Sequence, residues 1–106
     1  MKTRFAAAMQ TAMDRMMRAM HSRGNTGHPD ADFLAMMVPH HIGAIEMARL
    51  VLEYGRDPAT RRLAEDIIAN QATEIEGMRS RLAALRDPRG HAAIQSFPEL
   101  GGTRGP

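Results

Sequence analysis

The chain contains no cysteine and no tryptophan, and only one tyrosine and three phenylalanines among 106 residues. Without thiols there is neither a disulfide framework nor a zinc–thiolate centre. The absence also suits an oxidising compartment, where a thioether holds a soft metal ion without forming disulfides. The shortage of aromatic rings, and of any known reading motif, argues against nucleic acid as a partner. No run of about eighteen apolar residues occurs, so no membrane-spanning helix is expected. The familiar catalytic signatures are missing too. There is no His-Glu-x-x-His, no phosphate-binding glycine loop and no serine elbow. A ferritin-type di-iron site needs a glutamate followed three residues later by histidine. Glu46, Glu53, Glu65, Glu74 and Glu76 are followed there by Arg49, Arg56, Ile68, Gly77 and Arg79. No enzyme activity is expected; a metal-dependent enzyme is the weakest of the readings kept open.

The net charge of +2 is unevenly spread, with +4 over residues 1–23, −5 over 30–78 and +3 over 79–106. Two basic ends around an acidic middle explain the high isoelectric point, and they do not make a continuous basic stripe. The start of the chain, Lys2 and Arg4 followed by Phe5-Ala6-Ala7-Ala8-Met9, is too short in its apolar run for a signal-peptide core. A cytoplasmic protein or a trimmed chain is the expectation from this segment.

Apolar spacing divides the chain into three helices and a tail, with one modest core. The first helix spans about residues 3–21. Phe5, Met9, Ala12, Met13, Met16, Met17 and Met20 form its stripe. The second opens at Asp30 or Asp32 as cap and runs to Tyr54. Its stripe is Phe33, Met37, His40, His41, Ala44, Ala48 and Val51 or Leu52. Pro39 falls inside it and predicts a kink or a broken turn. Gly55 is expected as a left-handed cap, and Asp57-Pro58 opens the third helix. That helix runs to about Leu85 with Leu63, Ile67, Gln71, Glu74 or Ile75, Met78, Leu82 and Leu85 inward. Residues 1–86 are therefore read as one all-α domain, an antiparallel bundle of three helices. Residues 87–106, which hold four of the nine glycines and three of the six prolines, are read as a flexible tail. Three helices bury their stripes less completely than four, so a homodimer or higher homo-oligomer is expected.

His40, His41, Gln71 and Glu74 all lie on stripes read as inward. One unpaired buried polar group costs roughly 1–3 kcal/mol, and four would remove most of a stability of about 5–15 kcal/mol. They must pair with each other, with water or with a ligand. The plain reading is that Glu74 and Gln71 hydrogen-bond the imidazoles across two helices. The ten methionines favour another. Met36 and Met37 precede His40 and His41 by four residues, so each shares a helix face with one ring. Met47 lies two turns beyond His40, and Met78 one turn beyond Glu74. Thioether and imidazole converging from two helices make a plausible copper site, Cu(I) where thioethers dominate and Cu(II) where imidazoles do. Glu74 or Gln71 would then orient a ring. Met13, Met17 and Met20 with His21 offer a second soft cluster, although a methionine stripe at helical spacing is more often core.

The segment Phe33-Leu34-Ala35-Met36-Met37-Val38-Pro39-His40-His41-Ile42-Gly43-Ala44-Ile45-Glu46-Met47-Ala48 resembles the signature of the "domain of unknown function 305" family. Ala64 to Met78, with Gln71, Glu74 and Met78, looks like that family's second block. The likeness covers about residues 30–86. It implies a ferritin-like helical bundle, with Met37, His40, His41, Met47, Gln71, Glu74 and Met78 as characteristic positions. Some members are implicated in copper binding and copper tolerance, typically as periplasmic or secreted proteins. The expectation is thus a small copper-binding protein that sequesters or delivers the ion. The alternative is a structural or oligomeric interaction module with a polar-paired core.

Overall fold

A computed structural model describes residues 3–22 and 26–89. Over these residues the chain is all-α, with α1 (Arg4–His21), α2 (Pro29–Tyr54) and α3 (Pro58–Arg86). Most of the segment expected as a flexible tail, from residue 90 onward, lies outside the described residues.

Each helix begins with local chemistry. At α1, the Thr3 side chain accepts from the Ala6 amide at 3.0 Å, a standard N-cap bond. At α3, the Asp57 carboxylate accepts from both the Thr60 amide (2.9 Å) and the Thr60 hydroxyl (2.6 Å). Those bonds, the hydroxyl's first, hold the Asp57 carboxyl below the ordinary value of 3.8. The start of α2 departs from expectation. Pro29 occupies the first helical position after His28, and neither Asp30 nor Asp32 is the cap. Proline suits that position because its missing N–H is not needed there. Asp32 instead turns back on the incoming loop. It accepts from the Thr26 hydroxyl at 2.6 Å, the Thr26 amide at 3.1 Å and the Gly27 amide at 3.1 Å. Thr26 is the main reason its carboxyl is also held down. Gly27 has φ +86°, a conformation that favours glycine.

Two other local expectations are corrected. The helix continues through Pro39, so the broken turn expected there does not occur, and the proline is buried. Gly55 is extended (φ −81°, ψ 156°) and not left-handed. The last carbonyls of α2 are satisfied from further along the chain, since the Arg61 guanidinium donates to the Leu52 and Gly55 carbonyls at 2.6 and 3.0 Å. Asp57, directly before Pro58, is extended as well (φ −68°, ψ 120°), the geometry favoured before proline.

The helices run antiparallel. Phe5 meets Tyr54 edge-on with centroids 5.9 Å apart. Arg15 Nη1 lies 2.9 Å from Glu46 Oε1. On the other flank, His41 meets Glu74. Both α1 and α3 pack on α2, and they do not pack on one another. The arrangement is therefore a layer with α2 in the middle. Its buried apolar core is Ala12, Ala35, Val38, Ala48, Ala64 and Ile75. On α3, Ile75 is buried and Gln71, Met78, Leu82 and Leu85 are half-buried, as expected. In the first turns of α3 the inward stripe differs from the sequence reading, with Ala64 buried and Leu63 and Ile67 exposed. On α1, Met13 and Met17 of the expected stripe are likewise exposed.

The closest approach of α1 to α2 is at Gly43. A Cβ there would lie 2.5 Å from Met16 Sδ and 2.9 Å from Met16 Cβ. The sulfur could move aside, but the Cβ moves only with its helix. Gly77, in the middle of α3, is different: a methyl group added there would meet nothing within 4 Å. One substitution should therefore act with opposite signs. Glycine to alanine gains up to about 1 kcal/mol of helix propensity, while overpacking costs about 1–3 kcal/mol. In urea denaturation, Gly43→Ala should lower stability by about 1 kcal/mol and Gly77→Ala should raise it by about 0.5–1 kcal/mol.

Candidate functional site

The antiparallel register of α2 and α3 places the Met37–His41 row of one against the Glu74–Met78 row of the other. These four side chains, with Phe33, Leu34, Gly77 and Arg81, line an open depression of about 370 Å³. The sequence reading missed Phe33 and Arg81 as members. Both were available from spacing, because Phe33 is four residues before Met37 and Arg81 is seven after Glu74.

His41 is the best-held group in the depression. Its Nδ1 lies 2.9 Å from the Met37 carbonyl oxygen and its Nε2 lies 2.7 Å from Glu74 Oε1. A backbone carbonyl only accepts, so Nδ1 carries a proton and donates it. That leaves Nε2 as the nitrogen with the free lone pair in the neutral ring, and it points at a carboxylate oxygen. Two lone pairs cannot face each other at that distance. A second proton, or a cation shared by the two groups, resolves the conflict. The imidazole is mostly buried and the carboxylate mostly exposed, with side chains 16% and 58% accessible. Glu74 can therefore swing away without disturbing the core.

His40 is separated from this arrangement. Its ring centroid is 5.8 Å from that of His41, and the residue is exposed, not inward as its stripe position predicted. One residue along an α-helix is a turn of about 100°, so adjacent histidines diverge. Met36 shares His40's face and is exposed, and Met47 lies two turns on and is half-buried. On α1, Met13 and Met17 are exposed, Met20 is half-buried and His21 is exposed at the helix end. These α1 residues belong to the opposite flank of α2 and do not line the depression. Among the described residues, no three His, Asp or Glu side chains form a metal-sized group. The donors that do converge mix one imidazole, one carboxylate and two thioethers.

Gln71 was expected to pair with an imidazole. It does not; its Oε1 is buried with no hydrogen-bond partner among the described residues. A buried unsatisfied acceptor costs about 1–3 kcal/mol. Gln71→Met, of similar length and without that acceptor, should raise the urea midpoint by an amount equivalent to about 1 kcal/mol. A fall of similar size would show that Oε1 is satisfied by a bound water or ion.

Comparison with known proteins agrees with the sequence signature and extends it. A 51-residue stretch, 48% of the chain, is 42% identical to "Uncharacterized protein L153" of Acanthamoeba polyphaga mimivirus. That stretch covers 34% of the viral protein's length, so the likeness concerns about a third of the relative. The family described as "Domain of unknown function (DUF305)" matches residues 1–93. This includes α1, which had carried little of the resemblance, together with the double-histidine block of α2 and the Gln71–Glu74–Met78 block of α3. The chain belongs to the DUF305 family.

Proposed function

We propose that this protein binds a copper ion through imidazole and thioether side chains, to sequester or deliver it without catalysis. The observation that supports the reading is the convergence of Met37, His41, Glu74 and Met78 on one depression. The donor chemistry fits copper: thioethers favour Cu(I), and imidazole accepts either oxidation state. His41 is prepared for the role. The Met37 carbonyl fixes the tautomer by occupying Nδ1, the usual second partner of a metal-binding histidine. Nε2 is then the ligand atom, and Glu74 is its exchangeable companion. His40, with Met36 and Met47, forms an outward group that extends the thioether surface. Met13, Met17, Met20 and His21 are further soft donors on α1. Gln71 lies beside the site with an unused acceptor.

The proposal includes a second copy of the chain as protein partner and an exported setting, periplasmic or secreted. No helix among the described residues is long and apolar enough to cross a membrane.

Competition with a Cu(I) chelator tests the metal reading. His41→Ala should weaken copper binding tenfold or more, and a Met37→Leu/Met78→Leu variant should do the same. His40→Ala should have a smaller effect than His41→Ala. Equal affinity in wild type and a His40→Ala/His41→Ala variant would remove both rings from the site. A metal ion and a proton compete for the same Nε2 lone pair, so affinity should fall as the solution is acidified.

A structural reading is favoured by the His41–Glu74 contact itself, which ties α2 to α3 without any metal. The two readings part on linkage. If copper binds the folded chain, a free concentration one hundred times the Kd stabilises it by about 2.7 kcal/mol, and the melting temperature rises. If the contact is only a tie, copper leaves the melting temperature unchanged.

A further inference from the structure

The layer has two broad faces. On one, a trough of about 310 Å³ runs between α1 and α3, floored by apolar residues such as Val38, Ile42 and Leu82 and bordered by Arg15, Arg79 and Arg86. The other face follows from helix geometry. Because α1 and α3 run against α2, their residues wind in the opposite sense when viewed along one axis. With Met16 set against Gly43 and Ile75 and Ala64 turned inward, the positions can be assigned. Met13 and Met17 of α1, Phe33 and Met36 of α2, and Leu63 and Ile67 of α3 all project away from the arginine trough. Among the described residues, these six are the large apolar side chains left exposed, apart from Tyr54, which packs edge-on with Phe5. Six exposed residues scattered at random would not share one side.

We infer that this face is where two copies of the chain meet. The inference rests on the self-association part of the functional proposal and is independent of copper. The six side chains are between 41% and 62% exposed. At about 200 Å² for each in full, they leave roughly 600 Å² of apolar surface. A stable interface takes about 800 Å² from each partner, and monomers rarely expose apolar patches beyond about 300–600 Å². The residues between them supply the remainder.

Charge fits the same occupant. His40 and Glu74 lie within the face and Arg81 at its rim, so two copies meet without a large like-charge penalty. A membrane surface would call for arginines flanking the apolar patch, but Arg15, Arg79 and Arg86 line the opposite face. The core gives a further reason. Four of its six buried apolar residues are alanine, and among the described residues no side chain is completely buried. A layer this thin needs cover on its apolar side.

Sedimentation velocity on the full metal-free chain with a chelator present tests the surface. Wild type should sediment at twice the chain mass of 11.7 kDa. Met36→Glu and Leu63→Glu should each sediment as monomers with helical circular dichroism retained. Arg79→Glu, on the other face, should remain dimeric. If the glutamate variants unfold, cysteine replaces them. The chain has none of its own, so Met36→Cys should give a disulfide-linked dimer on mild oxidation and Arg79→Cys should not. A wild type that is monomeric at every concentration overturns self-association and the surface together. A dimer that survives Met36→Glu/Leu63→Glu, or that Arg79→Glu disrupts, overturns the surface and leaves self-association standing. A wild-type monomer that floats with anionic vesicles assigns the face to lipid and also overturns the proposal.

Discussion

A helix packed on two opposite flanks must present small or apolar residues on both, and α2 is that helix here. The backbones of α1 and α3 do not come close to one another, so the close helix packing runs through α2. On the α1 flank the requirement is met by Gly43, which lets Met16 lie directly on the α2 backbone. On the α3 side the buried residues are Ala48 of α2 and Ala64 and Ile75 of α3. Small residues bring the helices close, and close approach gives many weak contacts in place of a few large buried side chains. The loops then fix the register. Asp32 gathers the Thr26–Gly27 turn, and Arg61 closes the α2–α3 connection on two carbonyls.

The same register determines which chemistry meets. With α3 antiparallel to α2, His41 opposes Glu74 and Met37 shares a depression with Met78. The ring is gripped from one side by its own helix, through the Met37 carbonyl, and from the other by a mobile carboxylate. A rigid donor beside an exchangeable one suits a ligand that must enter and leave. His40, a single residue away, has none of this support because the helical turn carries it to the exposed side.

The two faces of the layer divide the remaining surface. Arginines gather around the α1–α3 trough, where Arg15 is already neutralised by Glu46. The other face collects methionine, phenylalanine, leucine and isoleucine around His40 and Glu74. Methionine is well suited to such a face, since its flexible thioether adapts to an imperfect partner surface and also binds soft metal ions. The proposed self-association and copper-binding surfaces therefore make the same demand on composition, and both would draw on the same stretch of α2.

Local interactions were legible in the sequence. The three helices, the Asp57 cap and the end of α3 before Asp87-Pro88 depend on residues within a few positions of one another, and all formed where spacing placed them. The His41–Glu74 pairing was also legible, because two helices joined by a short connection have few registers that bury anything. The separation of His40 from His41 was not, since α2 is apolar on nearly every side and its period marks no single inward face. The inward face of the first turns of α3 was hidden for a related reason: Ala64 is buried and Leu63 is not, although leucine weighs more in any apolar pattern. Composition determined the soft donors and the lack of thiols, and apolar spacing determined an all-helical chain. Which of those donors share a site, and which apolar residues stay uncovered, was decided by how closely the backbones approach, a property of small residues that hydrophobic spacing does not record.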